Sequence, residues 1–222
     1  MDISAFSGIL FSSSPVLPGS TVSWLSLHLG WAVVLGSGVW LIFNRLLPRY
    51  RWAVAFLVML WTLLPNAASP AFWLGLAFQS PSLMSVVLCI VWLLSRSGRD
   101  PGTVEDSQAR KILLVTGTVL GWVLMLDTLA WFPVSVYACG FGSAAVALAL
   151  LAAVLLWLLI GSRVSALLLL VLALFVLTRA PTGNLWDALL DPLLWLALQF
   201  AWLFSLARPY WMSRRSPPAT RA

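Results

Sequence analysis

The chemistry open to this sequence rests on a few polar side chains set among long apolar runs. Asp127 lies near the end of the apolar segment 111–132, and Asp187 and Asp191 lie just before the last apolar segment. A carboxylate at membrane depth is costly unless it is hydrated, paired with a cation or protonated. Arg179 is the only basic residue predicted on the same side of the membrane, so we expect it to pair with Asp127. Binding of a proton or cation by Asp127 is the alternative.

Three more polar residues are candidates for a functional or interface role: His28, Gln79 and Gln199. Because His28 is the only histidine, a haem held by two histidines of this chain is excluded, which leaves a packed histidine or a ligand shared with a partner subunit. A retinal protein needs a lysine deep in its last helix, whereas the only lysine is Lys111. No convergent set of acid, base, nucleophile or metal ligands is visible, so an enzyme is not favoured. No cofactor is identified; a bound lipid, quinone or pigment stays open.

Two glycine motifs predict close helix packing. Gly117 and Gly121 form a GxxxG spacing, which places both glycines on one helix face and allows another helix to approach. Gly140 and Gly142 superficially match a dinucleotide fingerprint, but that fingerprint requires a strand before it and a helix after it in a βαβ unit. Since the surrounding sequence is apolar and helix-like, we expect these two glycines to serve packing as well.

The elements that must position these residues are membrane helices. The chain is 61% apolar and 9% charged, with a mean hydropathy of +0.97, far from the composition of a soluble domain. The composition predicts an all-α polytopic membrane bundle. Its apolar segments, each a candidate transmembrane helix, are seven: 22–47, 52–64, 82–95, 111–132, 138–161, 164–178 and 192–207.

The basic residues predict the direction in which these helices run. With seven spans, twelve of the thirteen Lys and Arg residues fall on one side of the membrane and Arg179 on the other. Short loops rich in Lys and Arg stay cytoplasmic, which predicts an outside N-terminus and a cytoplasmic C-terminus. The predicted parts are an external N-terminal tail (1–20), a single transmembrane domain (21–208) and a basic cytoplasmic tail (209–222). Because the basic residues mark loop ends and form no continuous stripe, the net charge of +6 does not indicate a nucleic-acid partner.

Two predicted external connections contain short helices, which we name the first elbow (65–82) and the second elbow (183–192). In the first, Ser69-Pro70 and Ser80-Pro81 each read as a cap followed by proline, which predicts a short helix at about 71–78. The second also reads as a short helix, followed by a helix start at Asp191-Pro192. Such helices either lie in the interfacial layer or re-enter the membrane and line a site. The resulting three-plus-one-plus-three plan is similar in topology to the SWEET sugar carriers.

The scarcity of polar groups near the membrane midplane favours one function class over the others. Transporters and enzymes need several such groups, whereas a scaffold subunit does not. We therefore expect a non-catalytic subunit of a larger complex in the inner membrane of a bacterium, in contact with lipids and other integral membrane subunits. A small-solute transporter or permease component with its site near the elbows is the alternative, and an integral membrane enzyme is the third reading.

Overall fold

The computed structural model describes residues 15–95 and 104–213, and side chains within these ranges except at 104–110 and 207–213. The described residues are all-helical, without strands. Their α-helices are α1 (Ser20–Ile42), α2 (Pro48–Thr62), α3 (Pro70–Phe78), α4 (Leu83–Ser95), α5 (Val104–Thr128), α6 (Val136–Cys139), α7 (Ser143–Ile160), α8 (Arg163–Thr178), α9 (Leu185–Leu189) and α10 (Pro192–Ser213). Each of the seven predicted apolar segments contains a helix. Most of the predicted N-terminal tail and the end of the basic C-terminal tail lie outside the described residues.

Three helical stretches are long and apolar enough to cross a membrane: Ser20–Ile42, Lys111–Thr128 and Ser143–Ile160. The shortest of them has 18 residues, which corresponds to about 27 Å of helix and approaches the thickness of the hydrocarbon core. Shorter apolar helices are Leu83–Ser95, Arg163–Thr178 and Pro192–Leu206. Large apolar side chains lie exposed on the outer surface, among them Leu159 at 82% and Leu177 at 81%. This distribution is that of a protein whose surroundings are apolar.

Local capping explains why the short elbow helices form. Ser69 precedes Pro70, and its hydroxyl accepts a hydrogen bond from the backbone N–H of Ala71 at 3.1 Å. Proline at the first helical position loses no helical hydrogen bond, so the pair fixes the start of α3. In the second elbow, Asn184 Oδ1 accepts from the N–H of Trp186 at 2.9 Å and starts α9. Both predicted short helices are therefore confirmed.

The predicted cap at Ser80 is wrong. Ser80 lies in the break between α3 and α4, and the hydroxyl of Ser82 accepts the hydrogen bond from the N–H of Ser85 at 3.1 Å. Helix α4 consequently begins at Leu83, beyond Pro81. The break itself is present: α3 ends at Phe78, and the next residue, Gln79, has a φ of 63° that turns the chain out of the helix.

The helices pack as two groups joined through α4 and α8. In the first group α1 packs against α2, α3 and α4; in the second, α7 packs against α8, and α8 and α9 pack against α4. Helix α10 packs mainly against α5, where Gly121 faces Trp195 and Gly117 faces Leu198. The GxxxG face of α5 is thus covered by a helix of the same chain.

Candidate functional site

The starts of α4 and α10 meet at the carboxylate of Asp191. Its Oδ2 accepts hydrogen bonds from the Ser82 N–H at 2.9 Å, the Ser82 hydroxyl at 2.8 Å and the Ser85 hydroxyl. Its Oδ1 accepts from the N–H of Leu194 at 2.8 Å, within the first turn of α10. One side chain therefore caps its own helix and binds the capping residue of another. We call Asp191, Ser82 and Ser85 the cap junction.

A second polar cluster surrounds Tyr137, in the connection between α5 and α7. The hydroxyl of Tyr137 donates to Asp187 Oδ2 at 2.7 Å, and its backbone N–H donates to Asp127 Oδ2 at 2.8 Å. Asn184 Nδ2 donates to the backbone carbonyl of Tyr137 at 2.9 Å. Asp187 also accepts from Thr182, which directly precedes the second elbow. Tyr137 thus links the carboxylates of two separate segments, and we call this set the tyrosine cluster.

The hydroxyl of Tyr137 has a pKa that departs clearly from its ordinary value. Partial burial, together with the hydrogen bond to the Asp187 carboxylate, raises the pKa of the Tyr137 hydroxyl well above its ordinary value. A tyrosinate beside a carboxylate would place two negative charges together, so the proton is held on the phenol. Tyr137 therefore acts here as a hydrogen-bond donor.

The second elbow docks closely on the α6 region. The indole N–H of Trp186 donates to the carbonyl of Val136 at 2.8 Å, and the N–H of Leu185 donates to the carbonyl of Gly140 at 3.0 Å. A Cβ on Gly140 would lie 2.0 Å from Asn184 Oδ1, a distance that no side chain could tolerate. Gly140 is therefore required for this contact. Gly142 is buried and precedes the first residue of α7.

The two elbows differ in their surroundings. In the second, Asn184, Leu185 and Ala188 are fully buried within the bundle. In the first, Trp73 is 59% exposed and its indole N–H donates to the carbonyl of Ala67 within the same elbow. The second elbow is thus part of the helix core, whereas much of the first lies at its surface.

Asp127 and Arg179 do not form the expected pair. Asp127 Oδ2 accepts from the hydroxyl of Ser135 at 2.9 Å in addition to the Tyr137 N–H. Arg179 lies at the end of α8 with φ of 56°, and its guanidinium lies 5.4 Å from the ring centroid of Phe175. Among the described side chains, no ion pair joins the two. The carboxylate of Asp127 is instead hydrogen-bonded by donors from the turn after α5.

The remaining candidates are placed apart from these clusters. His28 is buried in α1, where it stacks on Trp24 with ring centroids 4.4 Å apart and its Nδ1 lies 3.1 Å from the Trp24 carbonyl. Gln79 contributes its backbone carbonyl, which accepts from the indole N–H of Trp31 at 2.9 Å. Gln199 is half-buried in α10. Within the part of the chain that the structure describes, no three His, Cys, Asp or Glu side chains gather as metal ligands would.

Two cavities lie beside these elements. A cavity of about 180 Å³ borders the cap junction, with Cys89 and Val34 in its wall. A larger cavity of about 570 Å³ extends between α5, α7, α8 and α10. Trp186 and Leu189 of the second elbow line it, so this elbow forms part of a cavity wall.

Sequence reasoning missed Ser82, Ser85 and Tyr137. The Ser82-x-x-Ser85 spacing carries a capping signal, since a side chain at the cap reaches the N–H three residues on. Tyr137 has no such signal, because its role depends on a contact with Asp187, fifty residues further along the chain. Comparison of the chain with protein-family models, with characterised proteins and with solved structures gives no match.

Proposed function

We propose that this chain is a non-catalytic, seven-span subunit of a larger inner-membrane complex in a bacterium. The observation that carries the proposal is that three carboxylates are hydrogen-bonded within the chain. Asp127, Asp187 and Asp191 each accept hydrogen bonds from at least two donors of the chain itself. Groups held in this way stabilise turns and helix starts, which is what a structural subunit requires.

The seven-span arrangement is supported by the agreement between helix positions and charge. The α1–α2 connection carries Arg45 and α8 begins with Arg163, so basic residues recur at corresponding turns of the two halves. Positive residues at such turns favour the cytoplasmic side. Helices α2 and α4 have 15 and 13 residues, shorter than the bilayer core, which local thinning or flanking polar residues can accommodate.

Aromatic side chains on the outer surface support contacts with other subunits. Trp157 on α7 is 46% exposed and Trp202 on α10 is 41% exposed. Trp202 lies in the middle of α10, away from the helix ends where indole anchors to the membrane interface, whereas Trp157 lies three residues before the last residue of α7. Indole offers a large contact area with little rotamer freedom to lose, so the face of α10 that carries Trp202 suits packing against a partner helix.

A carrier is the second candidate, favoured by the position of the elbows. Both interrupt the chain before the third helix of a three-helix group, and paired interruptions of this kind mark substrate sites in repeat-built transporters. The 180 Å³ cavity beside Asp191 is the space that a small solute would occupy in such a site. Against it, both oxygens of Asp191 already accept hydrogen bonds from the chain.

Native mass spectrometry of the tagged protein, extracted in mild detergent from its own host, tests the proposal. We expect a stoichiometric complex with other membrane proteins. Matched variants Trp202→Ala and Trp61→Ala remove exposed indoles from α10 and from α2 near the first elbow. We expect Trp202→Ala to weaken the complex and Trp61→Ala to leave it intact. A monomer in every preparation, stabilised by one added solute, would instead support the carrier.

The orientation is tested separately by labelling single cysteines in whole cells, after replacing Cys89 and Cys139 with serine. A cysteine at Trp131 should react with a membrane-impermeant reagent, whereas one at Leu46 should react only after the cells are opened. Labelling of both positions from the same side would contradict the proposed topology.

A further inference from the structure

The cavity of about 570 Å³ has walls from seven helices, α4 to α10. Ala149 of α7, Leu172 of α8, Gly117 of α5 and Leu194 of α10 face one another across it. Small residues create the space: Ala145, Ala149 and Ala152 recur at helical spacing along the cavity side of α7. We call this space the apolar cavity.

The wall chemistry limits what can occupy the apolar cavity. Apart from the hydroxyl of Thr116, the thiol of Cys139, the thioether of Met84 and the indole of Trp186, its lining side chains are hydrocarbon or glycine. The indole N–H is already bonded to the carbonyl of Val136. Water needs two to four polar partners and would find too few here. Quinone carbonyls and pigment rings also need donors or ligands, so the walls favour a hydrocarbon chain.

The volume of the apolar cavity suits a small ligand. It holds about 570 Å³, which lies within the range of small-molecule sites, roughly 300–1,000 Å³.

We propose that the apolar cavity binds one acyl chain of a bilayer phospholipid. Phospholipid is the most abundant apolar ligand in a membrane, and occupancy follows concentration relative to affinity. The chain enters between α7 and α10, whose facing residues Leu148 and Leu198 both line the cavity. The bound lipid fills the space that the alanines of α7 leave, and it connects α7 to the α5–α10 pair.

Native mass spectrometry of the purified full chain provides the first test. We expect the wild type to retain one bound phospholipid in mild detergent. In Ala149→Phe, we expect the fraction of protein that carries this phospholipid to fall at least tenfold. The matched control is Ala147→Phe on the exposed opposite face of α7, which should keep the bound phospholipid. Equal retention in both variants, or an isoprenoid quinone mass in place of phospholipid, would overturn the proposal.

A second measurement does not depend on any variant folding. The wild type is reconstituted into phosphatidylcholine vesicles that contain a trace of phospholipid with a diazirine at mid-chain. After illumination, we expect the lipid to attach mainly to peptides carrying Leu148–Ala152 and Leu168–Leu172. Attachment spread evenly over the exposed faces of α2 and α7, without enrichment at these peptides, would show only surrounding lipid and would refute a bound chain.

Discussion

Ser82 and Asp191 cap two different helices and hydrogen-bond to each other. The Ser82 hydroxyl lies 2.8 Å from Asp191 Oδ2, although the residues are 109 positions apart in the chain. The carboxylate thereby lies at the N-termini of both α4 and α10, where the helix dipoles are positive. Each elbow ends at this pair of residues, so the hydrogen bond between Ser82 and Asp191 holds the starts of α4 and α10 together.

Removing the Asp191 carboxylate should destabilise the protein strongly. Asp191→Ala leaves the Ser82 N–H and the Ser82 and Ser85 hydroxyls without their acceptor, and we expect a loss of about 2–3 kcal/mol in unfolding free energy. Denaturant or thermal unfolding in detergent measures it. Ser80→Ala is the control, since Ser80 does not cap α4, and it should change stability by less than about 0.5 kcal/mol. Equal effects of the two variants would argue against the junction.

The hydroxyl of Tyr137 should stabilise the protein in a pH-dependent way. Tyr137→Phe removes the hydrogen bond to Asp187 and should cost about 1 kcal/mol near neutral pH. Tyr50→Phe, at an exposed position, is the control.

The direction of the pH dependence follows from the raised pKa of Tyr137. The unfolded chain loses this proton near pH 10, while the folded protein retains it. The stabilisation is therefore complete below about pH 10 and decreases above it, with a slope reduced by partial exposure. The difference in Tm between the wild type and Tyr137→Phe should narrow from pH 10 upward. A difference that widens there would contradict the assignment.

The two glycines of the GxxxG motif should respond unequally to alanine. A Cβ on Gly121 would lie 2.1 Å from Trp195 Cδ1, in a large and rigid ring. On Gly117 it would lie 2.6 Å from the terminal methyl of Leu198, which can move. We expect Gly121→Ala to cost about 1–3 kcal/mol and Gly117→Ala less than about 1 kcal/mol.

Gly38 in α1 is the control for these two substitutions, because nothing lies within 4 Å of its Cβ position. Gly38→Ala should be neutral or stabilising by up to about 1 kcal/mol, since alanine favours the helix. Thermal unfolding of all three variants provides the comparison. A Gly121→Ala variant as stable as Gly38→Ala would mean that α5 and α10 do not pack at this point.

The sequence allowed the helices to be predicted because their signals are local. Apolar runs located seven helices of 13 to 25 residues, and the Ser69-Pro70 and Asp191-Pro192 pairs located two helix starts. The cap of α4 was misplaced because Ser80, which is followed by a proline, and Ser82, which lies three residues before Ser85, each carry a local capping signal. In the structure Ser82 is the cap of α4, and its N–H and hydroxyl both bond to Asp191, which is distant in the chain.

The partners of Asp127 could not be predicted from charge. After α5 the chain turns through Ala130, with φ of 55°, and this turn returns Ser135 and the Tyr137 N–H to the carboxylate. Charge alone favours Arg179 as the partner of Asp127, because the sequence does not show where backbone N–H donors will lie. The tyrosine cluster was missed for the same reason: it is built from a turn and a buried amide, Asn184.

Asp127 and Arg179 should therefore behave as independent residues. Asp127→Asn removes a charged acceptor from Ser135 and Tyr137 and should lower the Tm modestly, while Arg179→Gln removes only the contact with the Phe175 ring. Since no ion pair joins them in the described structure, the effects should add in the double variant, with a coupling below about 0.5 kcal/mol. The positive control is the pair Ser82→Ala and Asp191→Ala, whose effects should not add because the residues share a hydrogen bond. Coupling between Asp127 and Arg179 as large as in that control would show that the two residues do form an ion pair.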